Sequence, residues 1–124
     1  MSTDILVADD EPHITRALAF VLQQEGYHVS LACDGAEALT LIREQRPKVA
    51  FIDLIMPKLT GTEVCDAIKA DPALRNTHIV ILTCKGQELD RAASLACGAD
   101  EFMTKPFSPR EVLTHVRKIL QKAC

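Results

Sequence analysis

The sequence predicts an α/β protein, a doubly wound parallel sheet of five strands in a (βα)5 arrangement. Two observations predict it. Short continuous apolar runs alternate about five times with stretches of helical spacing, and a run that is apolar on both faces suits a strand buried on both sides of a parallel sheet. The polar residues that end these runs, Asp9-Asp10, Asp53, Thr83 and Lys105, fall where such a sheet gathers its ligand-binding loops.

Each element has a local reason. Ile5-Leu6-Val7-Ala8 reads as the first strand and stops at Asp9-Asp10. Pro12 opens the first helix, with Ile14, Leu18, Val21 and Leu22 on one face and Gly26 at its end. Val29 to Cys33 is the second strand. Asp34, with Glu37 three residues on, caps the second helix, and Leu39, Leu41 and Ile42 form its expected apolar face before Pro47. Val49-Ala50-Phe51-Ile52 is the third strand, ending at Asp53. Thr60 and Glu63 are spaced as a capping box for a third helix that Asp71-Pro72 closes.

Ile79-Val80-Ile81-Leu82 is the fourth strand, ending at Thr83. An alanine-rich fourth helix is expected from about Gln87 to Cys97, with Gly98 as its C′ residue. Glu101 to Thr104 is a short fifth strand leading to Lys105-Pro106. Ser108, Pro109 and Glu111 start the last helix, whose inward face is Val112, Leu113, Val116, Ile119 and Leu120. Right-handed crossovers make this a three-layer sandwich. The flavodoxin-like strand order 2-1-3-4-5 is the common solution at this size, with its crevice beside strands 1 and 3.

Composition bounds the function. The 124 residues suit one domain, 1–124, with room for a real core. A net charge of −3 with dispersed Lys and Arg gives no basic patch, so direct nucleic-acid binding by this domain is not expected. Apolar runs fall far short of the roughly 18 residues that span a bilayer, and MSTDILVADDEP lacks a basic leader, so neither membrane insertion nor a signal peptide is expected. The five cysteines, Cys33, Cys65, Cys84, Cys97 and Cys124, include no CxxC pair, which fits idle thiols in a reducing cytoplasm better than disulfides or zinc. His13, His28, His78 and His115 have no mutual ligand spacing and read as surface or partly buried residues.

The residues at the strand ends carry the chemistry. In a parallel sheet they share one rim, so four segments converge. Three carboxylates a few ångströms apart repel one another unless a proton or cation joins them. A hard-oxygen site suits Mg²⁺, which takes one or two carboxylates and keeps several waters. Lys105 adds a cation and Thr83 a hydroxyl, and together these are the parts that handle a phosphoryl group. Asp is an established covalent acceptor. Asp9 and Asp10 are adjacent and suit metal holding, whereas Asp53 stands alone and is the expected nucleophile.

Those residues resemble the receiver domains of bacterial response regulators. The likeness covers the whole chain and rests on VADDEP, FIDLIMPKLTG, ILTCKG and GADEFMTKPFSP in order. ELDR, the GADEF run and KPFSPRE make it most similar to receivers of winged-helix transcriptional regulators. The resemblance implies that Asp53 accepts phosphate from a sensor histidine kinase or phosphotransfer protein. It implies direct Mg²⁺ binding by Asp10 and Asp53, a third ligand from the Ile55 carbonyl, and Asp9 acting through water. It implies phosphoryl contacts from Thr83 and Lys105, a cis bond before Pro106, and an aromatic switch at Phe102. The changing surface would be the face made by the fourth helix, fifth strand and last helix. Arg91, Asp100, Glu101 and Glu111 fit the cross-subunit ion pairs of a homodimer formed on phosphorylation, and His115 stands where the subgroup usually has Arg.

Departures from the family carry expectations too. Cys84 is larger than the residue usual after the Thr, and neither Ile55 nor Lys85 offers a group that positions water. A slowly self-hydrolysing phospho-form is therefore expected, from a switch rather than an enzyme with turnover. The main alternative is a Mg²⁺-dependent aspartyl-phosphate phosphohydrolase. Such enzymes place the nucleophile after the first strand in a DxD pattern and carry a cap, for which this chain has neither the pattern nor the room. A flavin-nucleotide binder of the same fold would want a Ser/Thr/Gly-rich loop where DDEPHIT stands. A docking-only receiver would not need the complete acidic set.

Overall fold

A computed structural model describes residues 4–54, 58–84, 98–105 and 108–122. The strands are β1 (Ile5–Ala8), β2 (Val29–Ala32), β3 (Val49–Asp53), β4 (His78–Cys84) and β5 (Glu101–Lys105), and the helices are α1 (Pro12–Gln24), α2 (Gly35–Gln45), α3 (Gly61–Ala70) and α4 (Pro109–Lys122). All strand pairs are parallel and the order is β2-β1-β3-β4-β5. The expected fourth helix, Gln87 to Cys97, lies outside the described residues, and α4 is the helix expected last.

The sheet separates two cores because successive side chains on a strand alternate faces. On one face Leu6, Ala8, Ala50, Ile52, Ile79 and Ile81 pack with Ala38 and Ile42 of α2 and Val64, Cys65 and Ile68 of α3. On the other, Ile5, Val7, Val49, Phe51, Val80 and Leu82 pack with Leu18 and Leu22 of α1 and Val112, Leu113 and Val116 of α4. β1 and β3 are buried at every position, as central strands must be. β2 lies at an edge, and its burial is partial.

The expected caps form. Asp34 Oδ1 accepts the Glu37 amide, while Glu37 Oε1 accepts the Cys33 amide. Thr60 and Glu63 make the reciprocal capping box. Ser108 Oγ accepts the Glu111 amide at the start of α4. Boundaries differ slightly from expectation. β2 stops at Ala32, one residue early; β5 runs one residue longer, and β4 extends at both ends to His78 and Cys84. On α2 the deepest residues are Ala38 and Ile42, with Leu39 and Leu41 only partly buried. The i, i+4 pair faces the sheet, and a small Ala38 lets the helix come close.

Two glycines lie hard against described residues on either side of the β3–α3 connection. A Cβ on Gly35 would sit 2.1 Å from the Leu59 carbonyl oxygen, and one on Gly61 would sit 2.6 Å from the Asp53 carbonyl oxygen and 2.9 Å from Leu54 Cα. The start of α2 and the start of α3 are thus pressed against the chain that leaves the third strand. The Asp34 carboxylate also faces Lys58 at 3.5 Å.

Gly61→Ala is expected to cost about 1–3 kcal/mol of stability in urea unfolding, as backbone has to move. Gly26→Ala, at φ +92 but with nothing within 4 Å, is expected to cost less, about 1 kcal/mol. The Glu37 amide, helped by Lys58, holds the Asp34 carboxyl below its ordinary 3.8. Its contribution is therefore complete above that value and lost as pH falls through the lower, folded one. Asp34→Asn is expected to remove that part of the acid-induced loss, seen as a shallower fall in stability below about pH 4.

Candidate functional site

The C-terminal ends of β1 and β3 bring three carboxylates together. Ligand oxygens of Asp9, Asp10 and Asp53 all lie within 4.8 Å of one another. β1 pairs with β3 through Ala8↔Ile52, so Asp9 and Asp53 occupy the next position on adjacent strands. Asp9 is 1% exposed and Asp53 6% exposed, whereas Asp10 is open to solvent. The Asp9 carboxylate is partly held by its own turn, since Oδ1 accepts the Glu11 amide at 3.0 Å.

Thr83 follows on β4. Asp53 pairs with Leu82, so Thr83 sits one step further toward the same rim, buried at 7% exposure. Lys105 pairs with Cys84 at the end of β5 and reaches the same edge of the sheet. The side chains of Lys105 and Cys84 lie outside the described residues, as do Ile55, Lys85, Arg91 and Pro106. Phe102 pairs with Ile81 and is partly buried against the α2/α3 core. Alternation puts Thr83 on the same face as Ile81, so Thr83 and Phe102 share one side of the sheet.

The donor set fits a hard divalent cation. Three carboxylates supply oxygen ligands, two of them shielded from water, and their mutual repulsion favours a cation between them. Among the described residues it is the one set of three acidic, histidine or cysteine ligands within that distance.

The comparisons agree with this architecture. The family model described as "Response regulator receiver domain" matches residues 5–117. The chain belongs to the response regulator receiver family. It is 42% identical over 123 residues to the alkaline phosphatase synthesis transcriptional regulatory protein PhoP of Bacillus subtilis, covering 99% of this chain and 50% of that one. It is 38% identical to the DNA-binding response regulator MtrA of Mycolicibacterium smegmatis, covering 98% and 52%. The chain spans about half the length of the curated relatives it matches. Among solved structures, the signal receiver domain of a signal transduction histidine kinase from Syntrophus aciditrophicus superposes with a TM-score of 0.89 at 31% identity, covering 98% of this chain and 92% of that one. The chemotaxis response regulator CheY4 of Vibrio cholerae does so at 0.87 and 30%, covering 96% and 99%. This receiver is a component of two-component signalling, and no described helix is long and apolar enough to cross a membrane.

Of the residues expected at a dimer face, Asp100, Glu101 and His115 make contacts within the chain. Asp100 Oδ2 accepts the Ile79 amide at 2.8 Å and Lys69 Nζ at 3.1 Å. Glu101 Oε2 lies 3.0 Å from His78 Nε2 and 3.7 Å from His115 Nδ1. Glu111 is exposed. Sequence reasoning missed Lys69, which also donates to the carbonyls of Arg75 and Thr77. Its signal, a lysine on an otherwise apolar helix flank, is too common to single out. Sequence reasoning also missed that His78 and His115 meet at one carboxylate.

Removing one of three crowded charges should stabilise the metal-free protein. Asp10→Asn is expected to raise unfolding free energy in chelator-containing buffer by about 1 kcal/mol. Asp66→Asn, an exposed acid on α3, is expected to change it by less than about 0.5 kcal/mol.

Proposed function

We propose that residues 1–124 act as one phospho-accepting switch, in which Asp53 takes a phosphoryl group from a sensor histidine kinase or phosphotransfer protein. The observation that carries this reading is the approach of the Asp9, Asp10 and Asp53 carboxylates to within 4.8 Å at the rim of β1 and β3, in a chain of the receiver family. Asp10 and Asp53 would hold Mg²⁺ directly, with the Ile55 carbonyl as a further ligand and Asp9 acting through water. When bound, the ion supplies neutralisation of the phosphoryl oxygens.

The chain's own residues do the rest. An Asp53 oxygen attacks phosphorus in line, and the phosphorus–nitrogen bond of the donor phosphohistidine breaks. The leaving imidazole takes up a proton. Thr83 donates its hydroxyl and Lys105 its ammonium to the phosphoryl oxygens. Burial of Asp53 limits competing water. Charge-assisted hydrogen bonds are worth about 1.5–3 kcal/mol each, so one formed only in the phosphorylated state shifts a two-state equilibrium by roughly 10- to 150-fold. The shared sheet face of Thr83 and Phe102 supports a coupled move of the two side chains. A cis bond before Pro106 would belong to the same switch. The altered surface would be β5, α4 and the segment between β4 and β5.

Relatives named as transcriptional regulators and as DNA-binding response regulators support an output domain or partner controlled by this face. Homodimerisation on phosphorylation would use the same face. Arg91 and Glu111 would supply ion pairs to it, and Asp100, Glu101 and His115 would have to exchange their present contacts to join them. This domain would act in the cytoplasm and make no DNA contacts itself, and it would hydrolyse only its own phospho-form, slowly.

The test is incubation with acetyl phosphate and Mg²⁺, read on a phosphate-affinity gel. The parent is expected to shift and Asp53→Asn to stay unshifted. An unmodified parent, or a shifted Asp53→Asn protein, overturns the proposal. Sustained release of phosphate from an aryl phosphate ester would instead support the phosphohydrolase alternative.

A further inference from the structure

The N-terminal end of the sheet, opposite the acidic rim, carries a second polar cluster. His78 is the first residue of β4 and Glu101 the first of β5. Val80 pairs with Glu101 and belongs to the core under α1 and α4. Alternation therefore turns both His78 and Glu101 toward α4, which presents His115. The Glu101 carboxylate lies between the two imidazoles, 3.0 Å from His78 Nε2 and 3.7 Å from His115 Nδ1. A cavity of about 160 Å³ opens beside them, bordered also by Lys118 and Ile119.

We propose that His78, Glu101 and His115 form a site for a divalent transition metal of the zinc type. Two imidazole nitrogens and one carboxylate oxygen are a zinc ligand set that leaves a position for water. This chemistry differs from the all-oxygen rim, which suits Mg²⁺. The cavity has space for the ion and its water, at about 30 Å³ per water. The three side chains are 29%, 37% and 36% exposed, so they have freedom to draw inward. They must do so, because this cluster is looser than the acidic set and zinc–nitrogen bonds are only about 2.0–2.1 Å long. Lys118 is exposed, and its flexible stem lets the ammonium turn to solvent. The bound ion would join β4, β5 and α4, tying the edge of the sheet to the last helix.

The test uses the full chain with Mg²⁺ in excess to occupy the acidic rim, titrated with Co²⁺ as a coloured zinc substitute. One equivalent is expected to bind, with visible ligand-field bands and without thiolate charge-transfer absorption. His115→Ala and His78→Gln are each expected to weaken binding by more than about 100-fold, since loss of an outer-shell partner alone costs about 10- to 100-fold. Should His78→Gln lose its folded circular dichroism, His115→Ala decides the matter alone. Absence of Co²⁺ binding overturns the proposal. So does binding that survives His115→Ala, or that is lost instead in Asp10→Asn or Cys33→Ser.

Discussion

The structure depends on a constraint imposed by parallel pairing. Every strand of the sheet points the same way, so each strand's last residue arrives at one rim. Asp9 and Asp53 reach it on adjacent strands, and Asp10 comes with them. The backbone forces three like charges together, two of them shielded from water. The cores on either face of the sheet hold that arrangement against its own repulsion. Gly61, pressed on the Asp53 carbonyl, and Gly35, pressed on Leu59, show how closely the surrounding chain is fitted to the acceptor strand.

Most of the architecture was legible because it is local. Apolar runs of four or five residues with no polar face, set between helical stretches, suit buried strands, and Asp34/Glu37 and Thr60/Glu63 announce helix starts by spacing alone. The acidic rim was legible for a related reason: once the strands are parallel, residues at their ends must meet. Position within a helix face was less so. Ala38 is buried more deeply than its larger neighbours Leu39 and Leu41, because direction toward the sheet outweighs hydrophobic size.

Contacts that depend on register between distant elements were not legible. Lys69 gathers two carbonyls and the Asp100 carboxylate, tying α3 to the chain entering β5. His78, Glu101 and His115 are far apart in sequence; the pairing of Val80 with Glu101 brings the first two together, and the packing of α4 on that face of the sheet brings the third. The two ends of the sheet therefore differ in kind. The C-terminal rim concentrates carboxylates, while the N-terminal end pairs a carboxylate with imidazoles and ties β4 and β5 to the last helix.

Three carboxylates crowded at one rim are suited to a divalent cation. The most direct measurement of this is unfolding free energy as a function of Mg²⁺ concentration, for the parent and for Asp53→Asn. A ligand that binds only the folded state at 100 times its dissociation constant adds about 2.7 kcal/mol. A gain of that order is expected in the parent and a much smaller one in the variant. Equal gains in both proteins, or none in the parent, would contradict a cation site at this rim.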